Sequence, residues 1–221
     1  MIEIEKDYYL LLLDMKNSTK LPAEKAKEKF DQLDNSISYF NDQLRDEVAL
    51  PMSINYGDEI AGLFRSPQSF YQIASQFRQI LFPDTTIRFV SIKGRVAVAS
   101  DDIRQIGGSI FKKANEEMLR LKKEDKFSWF GIDTEPVNSS LTALSELSNA
   151  VINDMSEYQR EVYNLLKMGL NQKEIAQKLD KYAQSVWDAV QRSKAAYVLQ
   201  AEKAISQMLK EINNAKALIK E

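Results

Sequence analysis

The sequence predicts an α+β protein, a ferredoxin-like antiparallel sheet with helices on one face, followed by an all-α domain with a long terminal helix. Three observations carry this. As far as Gly131 the patterns run strand, helix, hairpin, helix, strand, which is the split βαβ order. A stretch rich in Ser, Asn, Thr and Pro then intervenes, DTEPVNSSLTALSELSNAVINDMS. After Glu157 the periodicity is helical throughout. The expected division is residues 1–135 for the first domain, 136–156 for a linker and 157–221 for the helical domain.

Each element has its own signal. Asp7 to Asp14 (DYYLLLLD) is an apolar run suited to a central strand, and Pro22 opens a charged amphipathic helix, PAEKAKEKFDQLDNSISYFNDQLRDE. Pro51 to Tyr56 and Glu59 to Arg65 flank a Gly-Asp turn, the mark of a hairpin. Ser69 to Leu81 reads as a second helix, and the alternation of Thr86 to Ala99 (TIRFVSIKGRVAVA) as a long strand or strand pair. Gly107 and Gly108 lead into a helix ending near Lys123, and FSWFGI forms one more strand.

Composition narrows the chemistry. The 221 residues, 44% of them apolar, suffice for a sizeable core. There is no Cys and no His, which excludes disulfides, thiol nucleophiles, zinc sites of the usual ligands and Ser-His-Asp triads. No apolar run reaches the roughly 18–20 residues of a membrane span, and MIEIEKD has acids where a secretion signal carries bases. A cytoplasmic protein with no membrane partner is expected. Through Met155 there are 19 basic and 24 acidic residues, and afterwards 11 and 8, so an acidic part precedes a basic one.

In this topology Asp14, ending the first strand, and Asp58, in the hairpin turn, fall side by side. Two carboxylates there suit Mg²⁺ or Mn²⁺, which take oxygen ligands and commonly hold phosphates too. Asn17, Ser18, Thr19 and Gly57 lie beside them in sequence, and the paired Gly107 and Gly108 before a helix offer backbone amides to a phosphate. The same residues also have a purely structural reading, in which Asp14 caps the following segment and Gly-Asp simply makes the turn.

DMKNST resembles the D-[IMV]-x-x-S-T element of class III nucleotidyl cyclases, YGDEIAGLF their hairpin motif, and IKGRVAVA the following strand. The resemblance implies that Asp14 and Asp58 bind the metals that activate a nucleoside triphosphate. It also implies pairing of two copies with the site at their interface. The order of LLLLDMKNST, GDEIAGLF, the G-R-V strand and GGSIFKKANEEML is similar to the bacterial SatD family. Three positions depart from the cyclase pattern. Ile54 stands where a Lys or Glu selects the purine, Lys112 where an Asn holds the ribose, and Glu116 where an Arg neutralises the transition-state phosphates. An acid in that last place repels the group it should stabilise. Lys112 and Lys113 remain as candidate phosphate clamps, point charges without the fork of Arg. Metal and nucleotide binding are therefore expected ahead of cyclisation.

In the tail, a helix bearing Tyr158, Val162, Leu165 and Leu166 stops at Gly169, and Asn171 with Glu174 forms a capping pair for a second helix. A third follows Asp180-Lys181-Tyr182. GLNQKEIAQKL and QSV resemble the helix-turn-helix of sigma-factor region 4 and LuxR-type proteins, with Ala176 at the helix contact and Val186 locking the third helix. Gln184, Ser185, Asp188 and Arg192 are candidates to reach bases, and Lys173, Lys178 and Lys181 to hold phosphates. The seam Val198, Ala201, Ile205, Met208, Ile212, Ala215, Ile219 has heptad spacing, which suits either a coiled coil continuing the third helix or an amphipathic helix folded back on its own chain.

Together these readings describe a homodimeric DNA-binding regulator with a metal- and nucleotide-binding sensor domain. An active cyclase or related two-metal phosphoryl-transfer enzyme, and a ligand-free interaction adaptor, are the alternatives.

Overall fold

The computed structural model describes residues 2–4, 6–55, 57–98 and 100–218, with side chains as far as residue 212. It divides into two compact units, Met1–Thr142 with Ser206–Glu221, and Ala143–Ile205. Among the described residues it is α+β, with one five-stranded mixed sheet and eight α-helices. No helix among them is long and apolar enough to cross a membrane.

The first unit begins with β1 (Tyr8–Met15), α1 (Ala23–Gln43), β2 (Val48–Ile54), β3 (Glu59–Phe64), α2 (Phe70–Leu81) and β4 (Ile87–Gly94). The strand order β2-β3-β1-β4, antiparallel throughout, is the split βαβ order expected. β1 is central and every residue of it is buried, which is why it reads as an unbroken apolar run instead of an alternation. Its even positions Tyr8, Leu10 and Leu12 join Leu63, Val90 and Ile92 in one core with Ile110, Ala114, Met118 and Leu121 of α3 (Ser109–Glu124). On the other face, Tyr9 and Phe64 meet Phe70 edge-on, and Phe40 of α1 meets Phe77 of α2. Each leucine so buried contributes about 1.5–3 kcal/mol.

The sheet is mixed where an antiparallel one was expected. β5 (Ser128–Gly131) pairs parallel to β4, because α3 lies between them and returns the chain to the same end of the sheet. The strand expected over Thr86 to Ala99 stops at Gly94: Ala97 N–H donates to the Gly107 carbonyl at 2.8 Å, and Val96 turns into the core beneath α3. Pro51 sits inside β2, not at its start. β2 is the edge strand, and its register breaks between Leu50 and Ser53, so the missing N–H costs no ladder bond.

The expected linker at 136–156 is mostly helix, α4 (Glu135–Asn153). The Asn138 side chain accepts from the N–H groups of Ile132 and Asp133 and donates to the Asp133 carbonyl, tying the helix start to the end of the sheet strand. Pro136 stands in the first turn, where its absent N–H is unneeded. Ser145, Ser148 and Asn149 are buried, so a polar composition here marks a closely packed helix face instead of a solvated tether.

The second unit holds α5 (Glu157–Lys167), α6 (Gln172–Lys178), α7 (Ala183–Ser193) and the start of α8 (Ala195–Leu218). Val162, Leu165, Ile175, Ala176, Val186, Ala189 and Val190 form the core of the first three. α5 closes on Gly169 at φ +92°, with Leu170 N–H reaching back to the Leu165 carbonyl. Asn171 Oδ1 accepts from the N–H groups of Lys173 and Glu174, and Glu174 returns the bond to Asn171 N–H at 2.7 Å. Asn171→Ala is expected to cost about 1 kcal/mol, read as a lowered midpoint in urea unfolding.

α7 does not run on into the terminal helix. Lys194 adopts a left-handed conformation at φ +57° and separates the two. Val198, Ile205 and Ile212, one heptad apart, are each buried. Ala215 and Ile219 lie outside the described side chains.

Candidate functional site

Asp14 lies one residue from the end of β1, directly opposite Glu59 of β3 and Arg88 of β4. Directly opposed residues of antiparallel strands share a face. The row Glu59–Asp14–Arg88 therefore continues the face that carries Leu12, Leu10 and Tyr8, below the carboxyl-terminal end of α3. From that end Lys122 reaches down, its Nζ 2.5 Å from Asp14 Oδ1. Asp14 is only 4% exposed. Its carboxylate is spent on this ion pair and caps no helix start; Asn17, the residue before the short 3-10 turn Ser18–Lys20, makes no side-chain cap either.

Asp58 belongs to the hairpin turn beside it. Its carbonyl accepts from Met15 N–H at 3.4 Å, and its carboxylate accepts a hydrogen bond from Ser18 Oγ. The segment after β1 is thus laced to the β2–β3 turn, which brings Asp14, Ser18, Asp58 and Glu59 to one end of the sheet. Asn17, at φ +56°, Thr19 and Gly57 are exposed around the same end.

Burial and neighbouring acids act together on the two strand carboxylates at this end. Burial pushes the Asp14 carboxyl above the ordinary Asp range; the Lys122 ammonium pulls it back, Asp58 adds to the rise and Arg88 opposes it. Glu59 is raised first by burial and next by Asp14, with a hydrogen bond from Asn55 acting against them. Arg88 is largely engaged elsewhere, donating to Asp125 Oδ1 at 2.8 Å and to the Lys126 carbonyl at 3.1 Å, and Lys16 pairs with the same Asp125 oxygen at 2.7 Å.

Among the described residues no three acidic side chains converge as a closed metal cage. The all-oxygen donor set of Asp14 and Asp58 nonetheless suits Mg²⁺ or Mn²⁺, which bind through one or two carboxylates and complete their shell with phosphate and water oxygens.

The remaining sequence candidates lie elsewhere. Gly107 and Gly108 precede α3 at the far end of the sheet, where Tyr8 pairs with Gly94. An added Cβ on Gly108 would come within 2.9 Å of Ala97 N, so close backbone contact with that strand end already accounts for the glycine. Lys112, Lys113 and Glu116 follow in the first two turns of α3, all exposed, with Lys113 over the Trp129 ring at 5.7 Å. From Lys112 to Lys122 the helix rises roughly 15 Å. Within one chain, then, neither Lys112 nor Lys113 clamps a phosphate held at Asp14.

Lys122, Glu59 and Arg88 escape a reading by motif. A signal existed: a helix between two parallel strands runs antiparallel to them, so its last turn lies at the start of β4 and hence at the end of β1.

In the second unit Lys173, Lys178, Lys181, Gln184 and Arg192 are exposed, while Ser185 and Asp188 are half-buried. Gln184 Nε2 donates to Asp188 Oδ1 at 3.3 Å. Ser185, Asp188 and Arg192 line a groove of about 270 Å³ with Ser156, Tyr158 and Gln159 at the start of α5. Tyr182 (86% exposed), which precedes α7, and Trp187 on α7 are exposed large side chains, neither of them among the sequence candidates.

No protein-family model and no curated protein matches the chain. Among solved structures it is similar to the guanylate cyclase domain of RhGC from Catenaria anguillulae in complex with GTP. The two share 13% identity over 50% of this chain and 70% of that one, with a TM-score of 0.36. The catalytic core of a rhodopsin-guanylyl cyclase with converted specificity, in complex with ATPalphaS, gives 14% identity, the same coverage and a TM-score of 0.36. A regulator of polyketide synthase expression from Bifidobacterium adolescentis spans 92% of this chain and 86% of its own at 12% identity, with a TM-score of 0.28.

Proposed function

We propose that the chain is a cytoplasmic, homodimeric, SatD-like regulator. Its first unit is a divergent class III cyclase-like sensor that holds Mg²⁺ or Mn²⁺ and the phosphates of a nucleotide at Asp14 and Asp58. Its second unit is a helix-turn-helix that binds DNA. The observation that carries this reading is the buried Asp14 at the end of the central strand with Asp58 and Glu59 beside it, in a sequence context that resembles the cyclase metal motif.

Ser18 positions Asp58, Asp14 supplies the second anionic ligand, and Asn17, Thr19 and Gly57 border the phosphates. The bound cation supplies charge neutralisation for those phosphates. The separation of Lys112, Gly107 and Gly108 from Asp14 favours a dimer: a second copy is needed to bring that end of α3 to the acids. On α6 and α7, Lys173, Lys178 and Lys181 take DNA phosphates, and Gln184, Ser185, Asp188 and Arg192 face the bases. Residues 156–221 carry a small net positive charge, so one copy binds weakly and with steep salt dependence, which pairing offsets.

Calorimetric titration with Mn²⁺ plus each common nucleoside triphosphate, alongside selection from a random duplex library, tests the reading. Saturable ligand binding lost in Asp14→Asn, together with a selected DNA sequence, is expected. Arg192→Ala weakens DNA binding by about 1–3 kcal/mol and leaves ligand binding intact; equal loss of both would end the two-site scheme. A nucleotide product sensitive to Asp58→Asn would assign a phosphoryl-transfer enzyme, and the absence of every ligand an adaptor.

A further inference from the structure

Asp14, Asp58 and Glu59 lie at the same end of the sheet, and the Lys122 ammonium pairs with Asp14 there. Asp58 is held by the Ser18 hydroxyl, and the Arg88 guanidinium is bonded to Asp125. With Arg88 and Lys16 sharing the one Asp125 carboxylate, acids still outnumber bases around Asp14, the setting a divalent cation favours. Lys122 nevertheless occupies one of the two oxygens of the carboxylate such a cation needs: its Nζ lies 2.5 Å from Asp14 Oδ1. Mg²⁺ binds carboxylate oxygen at about 2.0–2.1 Å, so ammonium and metal cannot both occupy that position.

The two partners differ in mobility. The Asp14 side chain is 5% exposed and fixed in the central strand, whereas that of Lys122 is 44% exposed and rooted in the last turn of α3. A rotamer change of the four-carbon stem moves the ammonium into solvent without disturbing the core residue beside it, Leu121.

We propose that Lys122 is an exchangeable internal cation: it neutralises Asp14 in the metal-free protein and is displaced when a divalent cation binds. This rests on the assignment of Asp14 and Asp58 as cation ligands and adds to it the residue that sets their affinity. The displaced ammonium stands at the mouth of the site, free to face the phosphates that arrive with the metal. Lys122, and not the distant Lys112 or Lys113, is then the lysine of the same chain within reach of them.

The test is titration of the full chain with Mn²⁺ alone, followed by the loss of the free-ion electron paramagnetic resonance signal. Wild type, Asp14→Asn, Lys122→Gln and Lys122→Arg are compared. Lys122→Gln is expected to bind Mn²⁺ roughly fivefold or more tightly than wild type, the scale of one partly exposed ion pair. Lys122→Arg keeps the competing charge and stays near wild type, and Asp14→Asn does not bind. Asp14-dependent binding that is equal or weaker in Lys122→Gln overturns the exchange and leaves the cation site standing. No Asp14-dependent binding in any variant overturns both.

A second measurement needs no variant that removes the charge. In wild-type protein reductively methylated with ¹³C, the Lys122 resonance, identified by its absence from Lys122→Arg, shifts on addition of Mg²⁺ and does not shift in Asp14→Asn. A resonance unmoved in wild type by saturating Mg²⁺ overturns the proposal.

Discussion

Asp14→Asn is expected to abolish saturable Mn²⁺ binding while leaving the unfolding free energy within about 1 kcal/mol of wild type. The two halves of that result have one cause. An ionised Asp held at 4% exposure is poorly hydrated, and its neighbours Asp58 and Glu59 repel it, so the Lys122 pair does no more than offset these costs. Removing one partner of a buried pair usually costs about 3–5 kcal/mol because the other is stranded. Here the survivor is Lys122, which is half-exposed and returns to water. Asn retains the volume and hydrogen-bonding capacity but loses the anionic ligand. The affinity loss should exceed the roughly 10–100-fold typical of changes behind the ligands themselves.

The pH dependence follows in sign. Asp14 and Glu59 both have folded-state pKa values above their ordinary ones. Between the ordinary carboxylate range and those raised values the folded chain binds more protons than the unfolded one, so this contribution to stability falls as pH rises through that window. On the proposed reading Mn²⁺ would compete with the same protons, so its affinity is expected to fall with decreasing pH from a point above the ordinary Asp range. Urea unfolding of wild type and Asp14→Asn between about pH 4 and pH 7 should show the shallower slope in the variant. A loss of more than about 2 kcal/mol at neutral pH would instead make the pair a structural one.

What a reader of the sequence can and cannot reach divides by range. The strand ending in Asp14, the Gly-Asp hairpin, the capping pair Asn171–Glu174 and the stop at Gly169 are local, each set by residues within a few positions, and the structure has them all. The errors arise where one composition serves two structures. Serines and asparagines that suggest a tether form the buried side of α4, because small polar residues suit close packing as well as solvent. The alternation of Arg95 to Val98 mimics a strand, but Ala97 bonds to the loop at Gly107. In the candidate site, Asp14 and Asp58 stand out in the sequence because each lies in a motif. Lys122 does not, since it reaches Asp14 across 108 positions of sequence through the parallel placement of β5. Lys112 and Lys113 lie in the first turns of the same helix, and spacing along a helix says nothing of which end of it meets the acids.

The second large effect lies in the helical unit. Ile175→Ala is expected to lower the unit's stability by about 2–5 kcal/mol. Ile175 is fully buried and belongs to the one cluster that α5, α6 and α7 share, with Val162, Leu165, Val186 and Val190. The α6 helix is only seven residues long, too short to persist without its packing. A unit of about 60 residues buries a smaller fraction of its surface than a larger domain does and is marginal to begin with, so a cavity of this size leaves a substantial unfolded population. On the proposed DNA-binding reading, affinity is then expected to weaken by the fraction of molecules still folded, equally for every sequence and with an unchanged salt slope, because the candidate residues are intact in the folded molecules. Arg192→Ala acts in the opposite way: it is exposed, so folding is untouched, while affinity changes with the base sequence or, if the guanidinium meets a phosphate, with a salt slope lower by about one. Far-ultraviolet circular dichroism during thermal unfolding, with DNA affinity measured at two salt concentrations, separates the two. Full DNA affinity in an Ile175→Ala protein that has lost its helical signal would show that the contacts lie outside α5 to α7.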